Sequence, residues 1–193
     1  MTGGDLSRLL SALGLVAVDT VLALAFADQL WFRDLPCPIC ILQRAGFIAA
    51  GFGLALNLIF GPRPSHYGLA IIGAMVGGVM SADQVLHYIV PGTGSYGNAI
   101  FGLHFYSWSL IAFAVVVAGS GVMLMFDRQF ESSSPPPLPL TVFPLTAVAL
   151  LALLAVGNVA STLAICGVGL CPEVLGGYLI FHENLGLALL KSP

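Results

Sequence analysis

The sequence predicts an all-α polytopic membrane protein, a bundle of about five transmembrane helices. Composition is the first reason: 58% of the 193 residues are hydrophobic and only 8% are charged, with a mean hydropathy of +0.99. A soluble domain carries about a quarter charged residues. The second reason is that the apolar residues come in runs of about 20, the length needed to cross roughly 30 Å of hydrocarbon. These runs do not alternate and far exceed a barrel strand of about 10 residues, so a membrane β-barrel is excluded. The net charge of −3 and the absence of a Lys/Arg cluster leave nothing to neutralise phosphates, which excludes nucleic-acid binding.

The first run, residues 9–27, ends in the small-x-small sequence Ala25-Phe26-Ala27. It is longer than the apolar core of about 7–15 residues in a signal peptide, so it reads as an uncleaved signal anchor. The second run, 41–60, carries Ala45, Ala49 and Gly53 at a spacing of four. The third, 67–90, follows the tight turn Gly61-Pro62-Arg63-Pro64-Ser65-His66 and carries Gly73 and Gly77. Small residues at this spacing let backbones approach, so the second and third helices are expected to pack closely. The Gly-rich loop at about 91–102 has no Lys-Ser/Thr and is not a phosphate cradle. The fourth run is 105–126, and His104, Tyr106 and Trp108 at its start read as an interfacial aromatic belt. A polar, Pro-rich linker at 127–137 precedes the fifth run, 138–164. In the tail, 165–193, the apolar stretch 174–190 is interrupted by His182, Glu183 and Asn184, which suits a helix lying at the membrane interface. The whole of 1–193 reads as one membrane domain.

The four cysteines form two pairs, Cys37-Pro38-Ile39-Cys40 and Cys166 with Cys171. The first follows one crossing and the second follows five; both counts are odd, so the pairs face the same side. Cys37 and Cys40 stand just before the second helix, whose unpaired N–H groups and dipole favour a thiolate. A Cys-x-x-Cys disulfide closes a short loop that is readily reduced, which suits turnover. A structural disulfide and a four-cysteine zinc site are the other uses of these sulfurs. The zinc site is disfavoured by the four-residue spacer between Cys166 and Cys171, wider than usual for a zinc knuckle.

Two polar groups stand just inside the second helix, Gln43 and Arg44. A buried Arg is costly, so an intramembrane one points to function, although near a helix end it also reaches the headgroups by snorkelling. Arg44 is one turn from Cys40, on the same face. Towards the end of the third helix come Asp83, Gln84 and His87, with His87 roughly 5 Å and Asp83 roughly 10 Å below the exit near Val90. Asp83 and His87 share a face that is expected to look at Arg44 across a pocket fit for an aromatic ring with carbonyl oxygens. There Arg44 donates to a carbonyl and His87 moves a proton; a plain Asp83–Arg44 ion pair is the alternative. Asp19, mid-way along the first helix, has no evident partner.

Cys37-Pro38-Ile39-Cys40-Ile41-Leu42-Gln43-Arg44, set between a first and a second transmembrane helix, resembles the signature of the bacterial disulfide bond formation protein B (DsbB) family. The resemblance spans roughly the first four helices, giving a DsbB-like four-helix core plus one. It implies a quinone reductase of the bacterial inner membrane, using ubiquinone or menaquinone, that reoxidises a periplasmic thioredoxin-fold oxidase of the DsbA type. By that resemblance Cys37 and Cys40 are the quinone-coupled pair, Cys40 faces the quinone, and Arg44 binds it; their positions on the second and third helices add Gln43 and His87 as expected quinone-binding residues. Four-helix members keep a second cysteine pair between the third and fourth helices. Here that loop has none, and Cys166 and Cys171 are expected to take the role of accepting electrons from the partner.

The count of basic residues does not set the orientation: Arg8, Arg63 and Arg128 fall on one side and Arg33, Arg44 and Lys191 on or near the other. Chemistry sets it, because a disulfide relay works on the oxidising, periplasmic side. Two readings compete with the quinone-dependent thiol oxidoreductase. One is a quinone reductase resembling vitamin K epoxide reductase, in which the quinone-side pair comes late in the chain. The other is a non-catalytic membrane subunit whose disulfides only brace its loops.

Overall fold

A computed structural model describes residues 3–32, 35–90, 92–95, 97, 99–130, 142–167 and 171. Five long helices dominate: α1 (Gly3–Ala27), α2 (Pro38–Phe60), α3 (Pro64–Tyr88), α4 (Phe105–Leu124) and α5 (Val142–Cys166). All five contain a stretch long and apolar enough to cross a membrane. The bundle turns large apolar side chains outward on every side, among them Leu24, Ile72, Val115 and Leu153, all exposed. Such a surface is stable against lipid tails and not against water. The protein is therefore a multi-pass membrane protein.

Helices α1, α2 and α3 begin before the apolar runs. α2 begins at Pro38 and α3 at Pro64, each in the first helical position, where the missing N–H costs nothing. α1 starts at Gly3 and continues past Ala27 as a single π-helical turn, Asp28–Phe32. α4 stops at Leu124, and a 3₁₀ turn follows at Asp127–Gln129. α5 ends on Cys166, so this cysteine belongs to the last turn of a spanning helix and not to the tail. The interfacial helix expected at 174–190 and most of the linker fall outside the described residues. Between α3 and α4 a two-stranded hairpin, β1 (Ala99–Ile100) with β2 (Leu103–His104), occupies the Gly-rich loop.

α2 and α3 form the spine. A Cβ built on Gly53 would come within 2.6 Å of the Ala70 nitrogen and the His66 carbonyl oxygen, and one on Gly73 within 2.6 Å of the Ala50 nitrogen. Gly46 meets the Gly77 backbone in the same way. The small-residue stripes of the two helices are thus in direct backbone contact, with Gly46 replacing the exposed Ala45 in the expected pattern. Gly77 also leaves the hole that the Phe113 ring of α4 fills, and that ring stacks on Phe47 with centroids 3.9 Å apart. α1 and α5 complete the core through Leu15, Val18, Leu22 and Leu151.

At the end away from the cysteines the chain closes with side-chain hydrogen bonds. Buried Asn57 takes the Arg63 backbone N–H and pairs with His66 Nδ1 through its oxygen, while its amide donates to Ser11. Tyr67 shares a hydrogen bond with Ser7 at 2.8 Å and donates to Gln129. Asp19 is 2% exposed, and among the described residues neither of its carboxylate oxygens has a hydrogen-bond partner.

Replacing Gly73 with leucine should lower the thermal unfolding temperature of the detergent-purified protein, at an overpacking cost of about 1–3 kcal/mol. Gly68→Ala, where a Cβ would meet nothing within 4 Å, should leave it unchanged or slightly raised.

Candidate functional site

The site is built on the first turns of α2. Cys37 is the N-cap, in extended conformation at φ −62° and ψ 160°, and its sulfur accepts the Cys40 backbone N–H at 3.0 Å. A sulfur here does the work of a capping oxygen, taking one of the four N–H groups that a helix leaves unpaired at its start. Cys37 and Cys40 form a disulfide with their Cα atoms 4.9 Å apart.

One turn further on, Arg44 is 7% exposed. It does not snorkel to a surface. Its guanidinium crosses to the end of α1, where Nη1 donates to Gln29 Oε1 at 2.7 Å and Nη2 to the Ala25 carbonyl at 2.8 Å. It also stands 4.9 Å over the Phe26 ring. The carbonyl end of a helix favours a cation, so α1 answers the charge with both its dipole and its hydrogen bonds. Gln29 in turn donates to Ser161 of α5 at 2.8 Å.

α3 contributes Gln84. It is 3% exposed; its Oε1 accepts from Gln43 Nε2 at 2.8 Å, and its Nε2 donates towards Cys37 Sγ at 3.6 Å and Cys40 Sγ at 3.9 Å. The expected pair Asp83 and His87 is exposed instead, and the His87 ring packs edge-on against Tyr88. Counting depth along the helix gave the correct end of α3 but not its rotation. The signal for the rotation is the small-residue stripe: at about 100° per residue, Gly73, Gly77, Ser81 and Gln84 fall within about 80° of arc, Asp83 lies about 100° from Gln84, and His87 lies just past the edge of that arc.

α4 contributes Tyr106, which departs from the expected interfacial belt. It is buried, stacked between His104 and Tyr88 with centroids 5.3 and 5.6 Å away. Trp108 stays partly exposed and donates its indole N–H to the Ile100 carbonyl.

These elements enclose a cavity of about 80 Å³, lined by Cys40, Gln43, Arg44, Gln84 and Tyr106 with Asp28 at its side. Val21 and Phe47 also line a larger apolar groove of about 490 Å³, which runs between α1 and α4 past Leu54 and Val116 to Tyr67. The second disulfide, Cys166–Cys171, stands at the same end of the bundle. Cys166 is 4% exposed, and both cysteines join Ile165, Leu35 and Ile41 in one apolar cluster beside the first pair. Gly167 at φ +63° turns the chain out of α5 so that Cys171 can reach back. Of the residues expected at the site, Cys37, Cys40, Gln43, Arg44, Cys166 and Cys171 are brought to one end, and His87 is not among the residues around the cavity.

A family profile, disulfide bond formation protein DsbB, matches residues 7–90. A disulfide bond formation protein B of Xanthomonas euvesicatoria pv. vesicatoria is 33% identical over 131 residues, covering 64% of this chain and 76% of that protein. The chain belongs to the disulfide bond formation protein B family. Relatives of the same name include one of Marinobacter nauticus, 29% identical over 155 residues with 61% of this chain and 92% of that protein covered. Another, of Xanthomonas oryzae pv. oryzae, is 32% identical over 131 residues, with 64% and 76% covered. No solved structure matches the chain. In this disulfide bond formation protein B family member, the stretch matched by the profile holds Cys37, Cys40, Gln43, Arg44 and Gln84, and ends ahead of the hairpin, α4 and α5.

Gln29→Leu removes one acceptor of Arg44 and the tie to Ser161. Unfolding of the variant in detergent should show a loss of about 1–3 kcal/mol, the usual cost of leaving a buried polar group unpaired.

Proposed function

We propose that the protein oxidises the dithiol of a periplasmic thioredoxin-fold partner of the DsbA type and passes the electrons, through Cys166–Cys171 and then Cys37–Cys40, to a membrane quinone. The observation that carries this reading is the cavity in which Cys40, Arg44 and Tyr106 meet at the head of an apolar groove. The site residues fit a quinone. Arg44 offers guanidinium hydrogen atoms to a carbonyl, Tyr106 an aromatic wall, and the groove between α1 and α4 takes an isoprenoid chain of ubiquinone or menaquinone. A bound quinone supplies a sink for two electrons and two protons and leaves as quinol.

The remaining steps belong to the chain. A partner thiolate attacks one sulfur of Cys166–Cys171 and the other leaves as thiolate; the partner's second thiol resolves the mixed disulfide. The partner has then lost two electrons and two protons, and Cys166 and Cys171 hold them as thiols. The same exchange moves the pair of electrons to Cys37–Cys40, packed beside them through Ile41. Cys40, lining the cavity, is the sulfur from which they depart. Arg44, held on two acceptors, orients a carbonyl there without spending rotamer freedom at the moment of reaction. A relay of this kind belongs on the oxidising side of a bacterial inner membrane, which places the cysteine end towards the periplasm and Arg8, Arg63 and Arg128 towards the cytoplasm.

The burial of Cys166 favours a second reading, in which the disulfides only brace the bundle. Quinone reduction by the purified protein, given a reduced DsbA-type protein, separates the two. Turnover is expected, and Cys40→Ser should abolish it. Arg44→Ala should raise the apparent KM for quinone at least about tenfold, the value of one charge-assisted hydrogen bond. No turnover, with both disulfides resistant to the partner, would establish the brace.

Cys166→Ser should stop oxidation of the partner while leaving quinone reduction from dithiothreitol intact, because the small thiol reaches Cys37–Cys40 directly. Normal partner oxidation by this variant, followed in the same absorbance assay, would refute the order of the relay.

A further inference from the structure

We infer that Gln84, held by Gln43, is the side-chain donor that stabilises the negative charge developing on the Cys37–Cys40 pair when its disulfide opens. The inference rests on reading this pair as the one that cycles. Among the described residues, Gln84 Nε2 is the side-chain nitrogen placed within reach of both sulfurs, at 3.6 and 3.9 Å. Its direction is fixed: the Gln84 oxygen is taken by Gln43 Nε2 at 2.8 Å, so the amide must present its N–H groups to the sulfurs. Arg44, the described cation that shares the cavity with Cys40, is drawn away to Gln29 and the Ala25 carbonyl. Gln84 therefore does at the sulfurs what Arg44 is not placed to do, and it does so without burying a second charge.

The chemistry needs such a group. When an incoming thiolate attacks one sulfur of the pair, the S–S electron pair goes to the other, which becomes a thiolate. Cys37 already has one donor, the Cys40 N–H at 3.0 Å. Gln84 adds a second there and reaches Cys40, whose sulfur accepts from no other described group that the structure shows. A disulfide sulfur is a weak acceptor and a thiolate a strong one, so these long contacts gain strength as the charge appears. The donor favours the reduced form of the pair and makes its disulfide the stronger oxidant. Gln43 touches neither sulfur and is a positioning residue.

The same two amides also tie α2 to α3, and the experiment must separate the roles. In a Cys166→Ser/Cys171→Ser background, the full-length protein is equilibrated in detergent with glutathione buffers, and the Cys37–Cys40 ratio is trapped by alkylation and read by mass. Gln84→Leu should shift the equilibrium about tenfold towards the disulfide and slow reduction of the pair to a similar degree, as expected for one hydrogen bond to a charged sulfur. Gln84→Glu keeps the side-chain volume and the acceptor for Gln43 but turns an acceptor towards the sulfurs, so its shift should be at least as large. Gln43→Leu frees the amide to turn and should give a smaller shift, and the Gln43→Leu/Gln84→Leu double variant should go no further than Gln84→Leu alone. An equilibrium unchanged in both Gln84 variants, with lowered thermal stability, would assign the amides to helix packing and overturn the inference while the cycling pair stands. A pair that no glutathione or dithiothreitol buffer opens in the unsubstituted background would overturn the functional reading itself.

Discussion

A charge inside hydrocarbon must be answered by the protein that carries it, and Arg44 is that charge. Its two acceptors are the Ala25 carbonyl at the end of α1 and Gln29 in the π-helical turn that continues it. Placing the guanidinium therefore places α1 against α2, one turn below Cys40. Gln29 passes the constraint to Ser161, one turn from Ile165 and Cys166, so the same polar chain seats α5. The second disulfide arrives beside the first because a line of hydrogen bonds runs from one cysteine helix to the other. The bland reading of Arg44, a side chain snorkelling from a helix end, does not survive this arrangement, since a snorkelling Arg would not need three helices.

Glycine sets the other half of the geometry. With Gly46, Gly53, Gly73 and Gly77 at the seam, α2 and α3 meet backbone to backbone. That closeness lets Gln43 and Gln84 bond directly and brings an α3 side chain to the sulfurs of α2. The contact with the Phe113 ring carries α4 into the same unit, and the cavity is what remains where four helices cannot all touch.

Much of this was legible in the residues. Five runs of apolar residues gave five helices, and the one-turn spacing of Cys40 and Arg44 put both on the wall of one cavity. What hydropathy could not give was rotation. A helix in lipid is apolar on its outer face as well as its inner one, so no moment distinguishes them, and His87 and Asp83 were as eligible as Gln84. Tyr106 was hidden in the same way, since an aromatic residue near a helix start suits an interface and a buried stack equally. The starts of α2 and α3 were missed by a few residues because Pro38 and Pro64 look like breakers until they are recognised as first-turn residues. The position of Cys166 inside the last turn of α5 could not be read from a hydropathy profile that already ends at Ala164.

The groove between α1 and α4 has a consequence for delivery. Its walls are apolar along their length, from Phe47 and Leu54 to Val116 and Met123, and both helices face the acyl chains on their outer sides. The quinone proposed above would enter such a groove sideways from the bilayer, by diffusion in two dimensions. Occupancy then follows the mole fraction of ligand among the surrounding lipids and not its concentration in water. Diluting the membrane with extra phospholipid would starve the site, whereas diluting the suspension with buffer would leave it untouched.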